Sequence, residues 1–184
     1  DGEVSVNTEI PLPAVSATSA CIIECESGEV VYEKNSTKSM PMASTTKIMT
    51  AIVAIENAPM KKIITVSSDA VGVEGSSIYL CENERLTTEE LLYALMLESA
   101  NDAAAAIAFE VGGSIEGFCA LMNEKAKELG CQNSNFMNSH GLHDDEHYTS
   151  ARDMALIGSA CFQNTDFMRI TGTREYTIPT TNVT

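Results

Sequence analysis

Apolar residues at 48, 51, 52 and 55 repeat at i, i+3, i+4 and i+7. That is one face of a helix, opening at Met42-Ala43-Ser44 behind Pro41 and stopped by Pro59. Upstream, 17–24 (ATSACIIE) and 30–33 (VVYE) read as two strands about a Ser27-Gly28 turn, a hairpin. Downstream, 63–66 (IITV) reads as a short strand, and 67–84 is mixed, broken by Gly72 and Gly75. Thr87 followed by Glu90 is a capping box, with Leu91, Leu92, Leu95 and Met96 as the apolar face of a second helix. An alanine-rich third helix is predicted over 102–111. A fourth covers 115–129 with Ile115, Phe118, Met122, Ala126 and Leu129 inward and Gly130 as its cap. A polar loop spans 133–148. Ser150 with Asp153 opens a fifth helix through 162, and 174–178 (REYTI) reads as a strand.

This order predicts an α+β fold in which a helical block interrupts an antiparallel sheet. The expected parts are a tail (1–16), the hairpin (17–33), a mainly helical block (44–162) and the start of a returning sheet (163–184). The 184 residues suffice for a packed domain, and 44% hydrophobic with 20% charged content is ordinary for a globular chain. No apolar run approaches the length of a membrane span. The chain opens at Asp1 without Met, as after leader removal or trimming.

Net charge is −15, which argues against nucleic acid or anionic lipid as a partner. Six cysteines contain no C-x-x-C pair, so neither a zinc finger nor a thioredoxin motif is supported. Most lie inside apolar patterns and are expected as buried free thiols; a disulfide or two is the alternative in an oxidising compartment. His140, His143 and His147 with Asp144, Asp145 and Glu146 have the composition of a metal cluster. Their stretch is polar, holds Gly141 and lacks helical periodicity, so no metal is expected there.

Ser44 and Lys47 carry the candidate chemistry. Three apart at a helix start, they share a face and place a hydroxyl beside an amine. A serine there has free backbone N–H groups nearby for an oxyanion, and partial burial of Lys47 would favour a neutral, proton-accepting amine. Alone, S-x-x-K is weak: composition yields about one match in a chain this size, and by itself the motif is better read as an N-cap serine with a solvated lysine. Ser99-Ala100-Asn101 joins two predicted helices and can enter the same cleft.

Four segments add specificity: PMASTTKIMTA (41–51), GSSIYL (75–80), LTTEELLYALMLESANDAA (86–104) and NSHGLHDDEHYTSARDMALIG (138–158). In this order and spacing the chain resembles the low-molecular-mass penicillin-binding proteins, serine D-alanyl-D-alanine carboxypeptidases of the β-lactamase/transpeptidase-like fold. The resemblance runs from about Ser19 to Ile178 and shares S-x-x-K and S-x-N with class A β-lactamases. It implies Ser44 as nucleophile, Lys47 as general base, Ser99 as proton relay to the leaving amine, and Asn101 as a substrate-binding residue that also holds Lys47. It implies no metal or organic cofactor, and peptidoglycan stem peptides ending in D-Ala-D-Ala and β-lactams as ligands. It also implies an extracytoplasmic location.

The family's third motif, K-T-G, is absent: only Lys125 and Lys127 follow Ser99, and neither begins one. It is expected on a strand beyond Thr184, in a complementary C-terminal segment. The 184 residues alone are therefore expected to be inactive. The rival readings are a β-lactamase or esterase of the same fold, or a non-catalytic peptidoglycan- or antibiotic-binding module. No segment here resembles the class A loop carrying the deacylating glutamate, and Glu98 reads as helix-terminal.

Overall fold

The first helix, α1 (Thr46–Asn57), is the centre of the packing. A computed structural model describes residues 14–183. The expected tail lies outside them except for its last three residues, and Val15 O there accepts from Lys34 Nζ. Met49, Ala51, Ile52, Val53 and Ala54 are each 1% exposed or less. One stripe was expected; α1 is instead covered on nearly every side. The surrounding helices are α2 (Thr88–Leu97), α3 (Asn101–Gly112), α4 (Ile115–Glu128), α5 (Ala151–Phe162) and α6 (Thr165–Thr171). Alanines 103–106 and 108 of α3 are buried, and their small side chains let α3 approach α1, α2 and α4 closely.

Polar caps set the helix starts. Thr87 Oγ1 accepts from Glu90 N, and the Glu90 carboxylate accepts from Thr87 N, a complete capping box for α2. Ser114, Ser150 and Asn164 cap α4, α5 and α6 through side-chain oxygens.

Strands β1 (Ala20–Ile23) and β2 (Val30–Lys34) form the antiparallel hairpin, with Cys21 opposite Glu33 and a register shift at Ile22/Ile23. β1 packs on α5. A second two-stranded antiparallel sheet pairs β3 (Ile63–Thr65) with β4 (Arg85–Thr87).

Two expectations at the C-terminal end are corrected. Residues 165–171 form a helix, α6. The predicted strand at 174–178 is irregular and has no ladder partner among the described residues. Its apolar positions are used differently: Tyr176 stacks on Tyr93 with ring centroids 3.8 Å apart, and Ile178 packs on the core. Burial of alternate side chains there comes from helix packing, so the alternation imitated a strand. The cysteines are also corrected in part. All six are free thiols, but only Cys119 and Cys161 are buried, while Cys25 and Cys81 are exposed.

Candidate active site

Ser44 stands in a single 3-10 turn, Ala43–Thr45, that runs directly into α1. Ala43 has φ +46°, a left-handed conformation that is costly for a residue with a Cβ. The turn leaves Ser44 exposed, whereas Lys47, three residues on, is 3% exposed.

Lys47 Nζ has three acceptors. It donates to Asn101 Oδ1 at 2.6 Å, to the His140 carbonyl at 2.8 Å and to Ser44 Oγ at 3.3 Å. Three ammonium hydrogens thus meet three acceptors. No carboxylate is among them. Burial accordingly pushes the Lys47 ammonium down from 10.5 to about 8. A neutral amine has two hydrogens and one lone pair. The two short bonds retain the hydrogens, and the lone pair is left for the longest contact, Ser44.

Asn101 is buried at the first position of α3. Its backbone N donates to Ser76 O at 2.7 Å and its Nδ2 to Glu74 O at 2.6 Å, so the amide's oxygen faces Lys47. Gly75 makes this possible: at φ +98°, a Cβ there would come 2.7 Å from Asn101 Nδ2. The neighbouring Asp102 ties down the rest of the segment. Its carboxylate accepts from Ser77 Oγ at 2.6 Å, Leu80 N at 3.0 Å and Ile78 N at 3.3 Å.

The fold brings Ser44, Lys47 and Asn101 together. Ser99 sits half-buried at φ +55° on the turn into α3, and its hydroxyl makes no hydrogen bond among the described residues. Glu98 caps the C-terminal end of α2.

The loop before α5 supplies site atoms that no side-chain motif announces. Besides the His140 carbonyl, Ser139 O accepts from Thr50 Oγ1 at 2.6 Å, and Gly141 lies against the Ala43–Ser44 peptide. The three histidines of this loop are separated in role. His147 is buried and bonded to Thr46, His140 is driven down to about 4 by burial and by Lys47, and His143 is exposed beside Asp145. Main-chain carbonyls carry no side-chain signature; the only cue was the S-H-G-L stretch itself.

The profile of the peptidase S11 family, described as D-alanyl-D-alanine carboxypeptidase, matches residues 5–184. The chain belongs to the peptidase S11 family. Within that family it is 40% identical over 167 residues to D-alanyl-D-alanine carboxypeptidase DacF of Bacillus subtilis, covering 88% of this chain and 43% of that protein. To DacA of Escherichia coli K12 it is 35% identical over 174 residues, again with 88% and 43% coverage. Among solved structures, DacD from Francisella tularensis superposes with TM-score 0.82 at 33% identity, over 86% of this chain and 40% of that one. The fold is therefore that of the penicillin-binding proteins and transpeptidases. The chain spans less than half the length of these family relatives.

Proposed function

We propose that this protein is a serine D-Ala-D-Ala carboxypeptidase working through an acyl-enzyme on peptidoglycan stem peptides. Ser44 Oγ attacks the carbonyl carbon of the D-Ala–D-Ala bond while its proton passes to Lys47 Nζ. The backbone N–H of Ser44 donates to the oxyanion. The C–N bond then breaks, and the departing D-alanine amine takes up a proton delivered through Ser99. Water hydrolyses the resulting ester and restores the Ser44 hydroxyl. Asn101 holds Lys47 and offers its second amide hydrogen to the substrate's peptide group. A β-lactam follows the same first step and leaves its acyl group on Ser44.

The observation that carries this reading is the surroundings of Lys47: a buried amine with no carboxylate partner, whose longest of three contacts is the Ser44 hydroxyl. Family membership supports the substrate class. The 184 residues contain no K-T-G, so a complementary segment is proposed to supply that wall of the cleft, and this stretch alone is expected to be inactive. The substrate lies outside the cytoplasmic membrane, which makes the proposed location extracytoplasmic.

The test is D-alanine release from a stem pentapeptide by the full-length protein and by Ser44→Ala. Release by the native protein and none by the variant is expected. No release by folded native protein, or equal release by both, contradicts the proposal.

A further inference from the structure

Thr46 begins α1 two residues after Ser44, and its side chain is fully buried. Its Oγ1 donates to the Ala43 carbonyl at 2.7 Å and lies 2.8 Å from His147 Nε2. The other ring nitrogen, Nδ1, accepts from Met137 N at 3.0 Å. An accepting Nδ1 leaves the ring hydrogen on Nε2 in the neutral imidazole. His147 therefore donates to Thr46, and Thr46 in turn donates to Ala43. The order runs from Met137 N–H through the imidazole and the hydroxyl to one carbonyl oxygen. Burial lowers the His147 pKa, which favours the neutral ring that this order requires.

The end of the chain of bonds matters more than its length. Ala43 C=O and Ser44 N–H belong to one peptide unit. A trans peptide is planar, with its oxygen and hydrogen pointing in opposite directions. Whatever fixes the Ala43 oxygen also fixes the line of the Ser44 N–H, the proposed oxyanion donor. Gly141 blocks the same oxygen from another side: a Cβ at 141 would lie 2.0 Å from Ala43 O and 3.0 Å from Ser44 N. Ala43 itself is held at φ +46°, a conformation that persists only where the surroundings enforce it.

We propose that His147 is a positioning residue for acyl transfer, acting through Thr46 to aim the Ser44 N–H at the developing oxyanion. This rests on the reading of Ser44 as the acylated residue. The two ring nitrogens can be separated by substitution. Gln at 147 reaches the Nε2 position with an amide donor. Asn reaches only the Nδ1 position, where it serves the Met137 N–H and leaves Thr46 without its donor.

The experiment measures the second-order acylation rate of the full-length protein by fluorescent penicillin, with thermal melting of each variant. Loss of a whole oxyanion donor costs about 10²–10³ in rate, so a misaimed donor is expected to cost about tenfold to a hundredfold. His147→Asn should show that loss, and His147→Gln should acylate at least about tenfold faster than His147→Asn. Thr46→Val should lose rate like His147→Asn, Thr46→Ser should retain it, and the double variant H147N/T46V should be no slower than the slower single. If H147N does not fold, the Thr46 pair decides alone. Equal rates for folded H147N and H147Q, equal rates for T46V and T46S, or multiplicative losses in the double variant overturn the inference while Ser44 remains the nucleophile. Native protein that is never acylated overturns both.

Discussion

Asn101 Oδ1 lies 2.6 Å from Lys47 Nζ across 54 residues of sequence, a shorter contact than the 3.3 Å from that amine to Ser44 three residues away. The neutral amide is what leaves Lys47 free to lose its proton. Asn101→Asp would put a carboxylate there, favouring the ammonium. The acylation rate of N101D at pH 7 should fall by about tenfold or more, and its rise with pH should move up by at least about one unit. A pH–rate series for both proteins checks this; superimposable profiles would contradict it.

The pH dependence of the native protein follows from the same group. With Lys47 at about 8, acylation should climb about tenfold per unit below pH 8 and level off above it. Stability has its own sign. Lys47 is lowered from 10.5, so between about 8 and 10.5 the unfolded chain holds a proton that the folded chain has lost. Folding stability therefore rises with pH across that window, by about 3 kcal/mol at most for this group. Denaturant titrations of native protein and Lys47→Met should show the native protein gaining stability relative to the variant between about pH 7.5 and 10.5; no relative gain would refute the lowered Lys47 pKa.

Much of the helical block is legible in the sequence because it is written in local rules. Thr87 and Glu90 announce α2, Ser150 and Asp153 announce α5, and Phe118, Met122 and Ala126 mark the buried side of α4. The misreadings share a cause in tertiary context. β4 is three residues long and ends at Thr87, which is also the cap of α2, so the helix signal masks the strand. α6 is short and capped by Asn164 in a region assigned to a returning sheet. Tyr176 has the alternation of a strand residue but is covered by the Tyr93 ring. At the site, S-x-x-K and S-x-N mark three side chains that meet, whereas the His140 carbonyl and the Thr46–His147 bond depend on a loop about a hundred residues away.

Gly141 should tolerate no side chain. A Cβ there meets the Ala43 carbonyl at 2.0 Å, and its φ of +95° is itself unfavourable for other residues. Gly141→Ala should cost at least about 2 kcal/mol in stability and slow acylation more than its folded fraction explains. Melting curves alongside acylation rates check this; a stable, fully active variant would show that the close approach is absent.

Asp102 is 1% exposed and its carboxylate organises 77–80. Asp102→Ala strands the backbone N–H groups of Ile78, Leu80 and Ala103 and the Ser77 hydroxyl. It should cost about 2–4 kcal/mol and speed amide exchange at Ile78 and Leu80. Exchange at α4 amides should change far less at matched stability. Uniform acceleration across both regions would count against a local anchoring role.

The most direct measurement is peptide mapping by mass spectrometry after benzylpenicillin is added to the full-length protein, native and Lys47→Arg. Arginine keeps the positive charge and cannot give up its proton at working pH. The expected result is a single penicilloyl adduct on the peptide containing Ser44 in the native protein, and none on folded Lys47→Arg within the same interval. An adduct on another residue, or equally rapid modification of Ser44 in both proteins, would contradict the assignment of a lysine-activated serine.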